Sequence, residues 1–229
     1  MAKWLLDPGH GGTDPGATYK GRKECDDVLK LALRVGELLK YNNENIYYTR
    51  TRDNTVSLAE RSNIENSGSY DYFVSIHRNA YQPEVAKGVE THIYVKGGKA
   101  EQLANKVNPE LVKLGFLNRG VKISNFHVLR ETKAPAILIE VGFIDNSSDN
   151  SIFNENFEKI AQAIVIGCLS QVGKIISITD NNTDNNAEES VYYRCIAGSF
   201  KERENAEKRK AELVAKGFTD TFIDIYKKS

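Results

Sequence analysis

With 229 residues, the chain is long enough for one domain of ordinary size and a small second unit. Its 31 lysines and arginines balance its 31 aspartates and glutamates, and this zero net charge argues against nucleic acid or an anionic membrane as a partner. No apolar run approaches the roughly 20 residues of a membrane helix, and the N-terminus lacks the apolar core of a signal peptide. Because the cysteines, Cys25, Cys168 and Cys195, are too scattered for a disulfide framework, we expect synthesis in a reducing cytoplasm.

Predicted strands alternate with predicted helices along the first three quarters of the chain. The strands are expected at Lys3–Asp7, Asn45–Arg50, Tyr72–His77, Gly88–Val95 and Ala136–Val141. The helices are expected at about Glu24–Lys40, Leu58–Ser67, Lys99–Leu114 and Asn154–Val172, the second of them opened by the capping box Ser57-x-x-Glu60. Such alternation predicts an α/β domain over residues 1–176, with a mostly parallel sheet flanked by helices on both faces.

The character of the sequence changes after residue 176. The stretch "TDNNTDNN" repeats a polar tetrapeptide, which buries too little apolar surface to offset the entropy of ordering, so residues 177–188 are expected to form a flexible linker. Residues 189–229 then read as strand, helix and strand. We expect a small C-terminal βαβ unit there, close to the lower size limit for independent stability.

The first predicted strand ends in the glycine-rich loop "DPGHGG", which carries His10. A dinucleotide fingerprint needs a third glycine where this loop has Asp14, and the chain contains no Gly-Lys-Ser/Thr, so phosphate binding is excluded. Two interpretations remain: a glycine turn with an incidental histidine, or a loop that presents His10 as a ligand.

A second histidine, His77, ends the predicted strand in "YDYFVSIHRNA". His10 and His77 therefore both follow strands at the carboxyl edge of the sheet, where open α/β sheets bind ligands. Neutral imidazole is the commonest metal-binding side chain, so the two histidines are a candidate metal pair.

Glu24 is the best candidate for a third ligand. It opens a predicted helix and shares one face with Val28 and Leu31, which places its carboxylate on the stripe that packs against the sheet. The alternative is a solvent-exposed glutamate that complements the helix dipole. Two histidines, one glutamate and an open fourth position are the ligand set of a catalytic zinc site.

A possible catalytic base is Glu140, the single charge in the predicted apolar strand Ala136–Val141 of "PAILIEVGFIDN". Burial would raise the pKa of its carboxyl group and suit it to accept a proton from water. The alternative is a structural ion pair with Arg50 or Arg52. Of the remaining histidines, His92 is expected to be structural, and His127 is a weak candidate for lining a pocket.

These residues lie in motifs that resemble zinc-dependent N-acetylmuramoyl-L-alanine amidases of the bacterial autolysin and phage endolysin kind. The matching stretches, in family order, are "LDPGHGGTDPGA", "GRKECDDVLKLALRVGELL", "TRTRDNTVSLAERSNIEN", "VSIHRNA", "GVETHIYV" and "VLRETKAPAILIEVGFIDN". The resemblance implies that His10, Glu24 and His77 hold Zn²⁺ and that Glu140 is catalytic. It also implies a mostly parallel sheet flanked by helices.

The C-terminal stretch "YRCIAGSFKERENAEKRKAELVAKGF" is similar to the start of a SPOR domain, a module that binds the glycan strands of peptidoglycan. A complete module has the order β-α-β-β-α-β, whereas residues 189–229 supply only the first half. The resemblance predicts a half-module that binds the cell wall or pairs with a second copy in a homodimer.

The resemblance predicts a peptidoglycan hydrolase that cleaves the amide between N-acetylmuramic acid and L-alanine, with peptidoglycan rather than nucleic acid or a membrane as partner. Without a signal peptide, a phage or prophage endolysin made in the bacterial cytoplasm and acting on the wall after release is favoured over a host autolysin. A glycosidase with Glu24 and Glu140 as its carboxylate pair is a rival enzyme. A wall-binding protein with an inactive zinc site is the non-enzymatic alternative.

Overall fold

The computed structural model describes residues 1–175 and 200–217, which belong to two units, Met1–Thr179 and Asp180–Ser229. The strands of the first unit are β1 (Lys3–Pro8), β2 (Thr18–Tyr19), β3 (Arg22–Lys23), β4 (Asn45–Tyr48), β5 (Tyr72–Asn79), β6 (Val89–Ile93), β7 (Asn118–Ile123) and β8 (Ala136–Phe143). Its helices are α1 (Glu24–Tyr41), α2 (Leu58–Ser67), α3 (Lys99–Val112), α4 (His127–Arg130), α5 (Ser147–Glu155) and α6 (Phe157–Gln171). The described part of the second unit contains α7 (Arg203–Ala215).

The central sheet of the first unit has six strands in the order β4-β1-β5-β8-β6-β7. Strands β4, β1, β5 and β8 run parallel, whereas β6 pairs with β8 in the antiparallel sense and with β7 in the parallel sense. The predicted mostly parallel sheet flanked by helices is therefore confirmed. Because β6 and β7 are reversed, they start at the edge where β1, β5 and β8 end.

One face of the sheet carries the larger hydrophobic core. Buried residues of β1, β5 and β8 on this face pack against α1, α3 and α6. The apolar stripe of α1, which includes Val28, Leu31, Val35 and Leu39, is fully buried there. Since each such side chain contributes roughly 1.5–3 kcal/mol on burial, this contact fixes α1, and with it the position of Glu24, against the sheet.

The opposite face is apolar at one end and polar at the other. Leu5, Phe73 and Leu138 form a smaller cluster with residues of α4 and, at its margin, of α2. Further along the same strands, alternate positions on this face are occupied by polar residues, among them Ser75 and Glu140. The polar half of this face therefore lies at the carboxyl ends of β1, β5 and β8.

Four features of the first unit were not predicted: the edge strand β7, the short helices α4 and α5, and the β2–β3 hairpin. No residue of β7 is buried, so the "NRGVKI" segment lacks the alternation of a half-buried strand. Helix α5 has its own N-cap, since the Asn146 side chain accepts a hydrogen bond from the Asp149 N–H. The expected start of the final helix, Asn154, lies in α5, and the final helix α6 begins at Phe157 instead. The capping box of Ser57 and Glu60 on α2 is present as predicted.

The predicted linker at 177–188 lies outside the described residues, as do the strands expected within 189–229. Of that predicted half-module, only the helix falls in the described part, as α7. No residue of α7 is buried. In the part of the chain that the structure describes, no helix has the length and apolar character that a membrane span requires.

Candidate metal centre

The loop that follows β1 is shaped by glycines that leave room for other side chains. His10, at φ 57°, and Gly16, at φ 66°, both adopt left-handed backbone conformations. A Cβ atom on Gly9 would lie 2.2 Å from Cε1 of His77, and one on Gly16 would lie 2.6 Å from Cδ2 of His10. These two glycines therefore let the two imidazole rings lie directly against the backbone of the loop.

Two buried arginines hold this loop through its carbonyl oxygens. Arg50 donates to the carbonyls of Pro8, at 3.0 Å, and Gly9, at 2.7 Å. Arg61 donates to the carbonyls of Pro8, at 2.7 Å, and His10, at 2.6 Å. Neither Arg50 nor Arg52 forms an ion pair with Glu140 among the described residues, so the alternative of a structural ion pair with one of them is wrong. The guanidinium groups instead fix the backbone that carries His10.

The structure brings His10, Glu24 and His77 together from three different elements. One ligand atom from each lies within 4.8 Å of the other two. Oε1 of Glu24 lies 2.9 Å from Nδ1 of His77 and 3.2 Å from Nε2 of His10, and the two rings meet edge to face with their centroids 4.9 Å apart. Two imidazole nitrogens and a carboxylate oxygen that converge in this way are a donor set suited to Zn²⁺.

The proton affinities in this cluster are strongly coupled. Burial alone would lower the pKa of His10, but the carboxylates of Glu24 and Asp14 outweigh it and raise that pKa to about 9. Burial alone would raise the pKa of Glu24, but the two imidazoles hold it well below its usual range. The pKa of His77 is raised because Glu24 and Glu140 outweigh the effect of burial.

Asp14 orients the first of these imidazoles. Its Oδ2 lies 2.8 Å from Nδ1 of His10, and its Oδ1 accepts a hydrogen bond from the N–H of Gly16 at 3.0 Å. A carboxylate on the outer nitrogen of a histidine fixes the ring and directs the other nitrogen toward a metal. From the sequence, Asp14 counts only against phosphate binding, although its spacing of four residues from His10 is also a usable signal for this contact.

Glu140 lies beside the cluster, on β8. It is the direct cross-strand partner of His77 in the parallel β5–β8 pairing, so both side chains project from the same face of the sheet. Its side chain is half-buried, and Oε2 is shielded from solvent without a hydrogen-bond partner among the described residues. Burial, together with the charges of Glu24 and Glu90, raises the pKa of Glu140 to about 7 despite the opposing effect of His77.

Glu90 is a second buried carboxylate that sequence reasoning missed. It is the direct partner of Glu140 in the antiparallel pairing of β6 with β8. Its carboxylate accepts from Asn79 Nδ2 at 2.9 Å, from Arg119 Nε at 2.6 Å and from Lys122 Nζ. The available signal was the same as for Glu140, namely a lone acidic residue in an apolar strand, here "GVETHIYV".

The two remaining histidines have protein partners. His92 is buried, with its ring nitrogens 2.7 Å from Ser124 Oγ and 3.2 Å from Glu90 Oε1, which agrees with the expected structural role. His127 lies on α4, with Nε2 3.2 Å from Ser62 Oγ on α2, and it is not part of the three-residue cluster.

Comparison with known proteins connects this site to a family. A profile described as N-acetylmuramoyl-L-alanine amidase matches residues 5–169. The N-acetylmuramoyl-L-alanine amidase CwlM of Bacillus licheniformis is 36% identical over 222 residues, which are 95% of this chain and 83% of that protein. The sporulation-specific N-acetylmuramoyl-L-alanine amidase of Bacillus subtilis (strain 168) is 34% identical over 223 residues, with the same two shares.

Solved structures show the same relationship. The crystal structure of N-acetylmuramoyl-L-alanine amidase from Clostridium difficile 630 is 37% identical with a TM-score of 0.71, and the match covers 75% of this chain and 97% of that one. The catalytic domain of CwlV, N-acetylmuramoyl-L-alanine amidase from Bacillus (Paenibacillus) polymyxa var. colistinus, is 32% identical with a TM-score of 0.70, covering 76% and 99%. The chain belongs to the N-acetylmuramoyl-L-alanine amidase family, whose members are amidases of peptidoglycan.

Proposed function

We propose that the chain hydrolyses the amide bond between the lactyl group of N-acetylmuramic acid and L-alanine of the stem peptide, with Zn²⁺ held by His10, Glu24 and His77. The observation that carries this proposal is the convergence of these three side chains within 4.8 Å, next to Glu140 with its unpartnered Oε2. Membership of the amidase family supports the choice of bond.

The residues present fit a zinc ion. The ligand atoms are two imidazole nitrogens and one carboxylate oxygen, and Asp14 holds the outer nitrogen of His10 as a supporting carboxylate does in zinc sites. A zinc ion bound here supplies Lewis acidity, which polarises the amide carbonyl and lowers the pKa of water at the site.

Glu140 moves the proton in this proposal. Its half-buried carboxylate accepts a proton from the water that attacks the amide carbon. The carboxyl group then donates that proton to the nitrogen of L-alanine as the carbon–nitrogen bond breaks. The products are a free carboxyl group on the lactyl ether and a free alanine amino group. A pKa of about 7 allows Glu140 to act as base and then as acid near neutral pH.

Digestion of purified cell walls from several species, with and without a chelator, tests the proposal. Mass spectrometry of the products should show new alanine amino termini that disappear when zinc is removed. New reducing sugars would instead indicate the glycosidase. Unchanged walls, despite one bound zinc per chain, would support the wall-binding alternative.

The origin of the chain and the role of its C-terminal half-module belong to the same proposal. For the origin of the chain, we favour a phage or prophage endolysin that is made in the bacterial cytoplasm. The alternative is a host autolysin that catalyses the same reaction. The match to the two Bacillus amidases covers 95% of this chain and supports the autolysin alternative. Homodimerisation through residues 189–229 stays a prediction, and a monomeric mass of the full chain in light scattering would contradict it.

A further inference from the structure

A row of polar side chains crosses the sheet from the metal site to its far edge. His77 on β5 pairs directly with Glu140 on β8, and Glu140 pairs directly with Glu90 on β6. Directly paired residues project from the same face, so these three side chains stand side by side. Two cations of β7, Arg119 and Lys122, extend the row by reaching Oε2 of Glu90.

The end of this row on β7 carries an excess of positive charge. Arg119 and Lys122 share the single carboxylate of Glu90, and their side chains stay 32% and 38% exposed. Only Nε of Arg119 bonds to Glu90, and its terminal nitrogens have no hydrogen-bond partner in residues 1–175 and 200–217. The guanidinium carbon lies over the ring of Phe143, 5.0 Å from its centroid, in a cation–π contact.

The distance from Glu140 to the far end of the row is one that a short extended peptide can span. Neighbouring strands lie about 4.8 Å apart, and β6 separates β8 from β7, so β7 is about 10 Å from Glu140. The long side chains of Arg119 and Lys122 reach back from β7 toward β6. An extended peptide advances about 3.3 Å per residue. If the scissile amide lies over His77 and Glu140 and the stem peptide runs toward β7, a carboxylate on the second stem residue lies within reach of Arg119 and Lys122.

We propose that Arg119 and Lys122 form a subsite that binds a carboxylate on the second residue of the stem peptide. The inference rests on the proposed amidase function and adds a substrate preference to it. The excess positive charge and the unengaged guanidinium nitrogens suit a carboxylate, which arginine binds through paired hydrogen bonds. The stem peptide is thereby oriented across the sheet, perpendicular to the strands.

Two soluble muropeptides that differ only at the second residue, D-glutamate in one and D-isoglutamine in the other, test this subsite. The zinc-loaded full chain should cleave the D-glutamate substrate with about tenfold higher kcat/KM, mostly through a lower KM. Equal kcat/KM values would overturn the subsite and leave the amidase proposal intact. Cleavage of neither muropeptide would overturn the proposed function and this inference with it.

Substitutions assign the preference to the two cations. In Arg119→Gln and Lys122→Gln, the ratio of the two kcat/KM values should fall toward one, whereas Arg119→Lys keeps the charge but loses the paired hydrogen bonds and should keep only part of the ratio. Lys113→Gln, on an exposed lysine that pairs with Glu110 at the end of α3, is the matched control and should leave the ratio unchanged. A purely structural role would lower both rates equally, and an unchanged ratio in Arg119→Gln and Lys122→Gln would contradict the assignment.

Discussion

Glu24 and Glu140 lie at the same edge of the sheet in opposite surroundings. Glu24 is buried, contacts both imidazoles and accepts hydrogen bonds from the backbone N–H groups of Ala17 and Arg78. Glu140 has a shielded Oε2 without a partner among the described residues. The pKa of Glu24 is therefore held low, while that of Glu140 is raised to about 7.

The difference shows how one residue type takes two chemical roles. A carboxylate surrounded by donors stays ionised and is suited to hold a cation, whereas one that lacks donors keeps its affinity for a proton. Neighbouring environments that push two pKa values apart are a general mark of acid–base sites. The contrast between Glu24 and Glu140 therefore carries the assignment of ligand and base.

The largest expected effect on turnover with zinc retained comes from Glu140→Gln. Because the proposed mechanism passes the proton through this side chain, we expect kcat on cell walls to fall about 10²- to 10⁴-fold. The zinc content should stay at one ion per chain, since no ligand is altered. Steady-state kinetics and metal analysis of the same preparation measure both quantities.

Glu24→Gln is the matched change on the other side of the comparison. It should remove both zinc and activity, because the amide lacks the negative charge that holds the cation. Loss of zinc in Glu140→Gln, or full zinc retention in Glu24→Gln, would contradict the assignment of Glu24 as ligand and Glu140 as base.

A smaller effect is expected at the residue that supports the ligand set. Asp14→Ala removes the carboxylate 2.8 Å from Nδ1 of His10, and we expect zinc to bind about 10- to 100-fold more weakly. Competition with a chromophoric chelator measures this affinity. Asp26→Ala, an exposed aspartate two residues from Glu24, removes the same charge nearby and should change the affinity little.

Stability should respond to Glu140 in the opposite direction from activity. The folded pKa of about 7 lies above the 4.5 of an ordinary glutamate, so ionising Glu140 costs stability as the pH rises from about 4.5 through 7. In chelator-treated protein, Glu140→Gln should therefore gain about 1–3 kcal/mol at pH 8 and much less at pH 5. Denaturant unfolding at the two pH values measures the difference, and a pH-independent effect would contradict the raised pKa.

The smallest effect concerns the ion pair of Glu24 with His10 in the metal-free protein. The pKa of His10 is raised from 6.5 to about 9, so its contribution to stability is complete below pH 6.5 and is lost as the pH rises through about 9. Glu24→Gln should therefore destabilise the metal-free protein by about 1–2 kcal/mol more at pH 6 than at pH 10. Thermal unfolding of both proteins at both pH values tests this, and an equal loss would rule out the ion pair.

Much of the central sheet and the members of the metal cluster could be read from the sequence because their signals are local. Strands β1, β5 and β8 are apolar runs, and His10, Glu24 and His77 each lie at the end or start of an element. The shared carboxyl edge of a parallel sheet then predicts their proximity. Their roles as zinc ligands, and that of Glu140 as base, stay predictions that the experiments above address.

The remaining parts of the site depend on long-range pairing that leaves no local pattern. Strand β7 is partly exposed along its whole length, so its residues do not alternate. The contact of Arg119 and Lys122 with Glu90 requires β6 to be reversed against β8, and the sequence does not specify that direction. The hydrogen bonds from Arg50 to the carbonyls of the loop could not be predicted either, because every residue has a backbone carbonyl and the sequence does not show which of them an arginine contacts.

Because β6 runs antiparallel to β8, β7 presents its residues at the same edge of the sheet as the metal cluster. That edge therefore combines residues from two separate stretches of the chain. The candidate ligands all fall within the first 77 residues, at the ends of β1 and β5 and the start of α1. The cations beside Glu90 come from β7, an outer strand with a single neighbour. Under the proposed function, substitutions on β7 can therefore change the substrate preference without altering any residue of the metal cluster. An edge strand tolerates such variation more readily than the buried strands of the core.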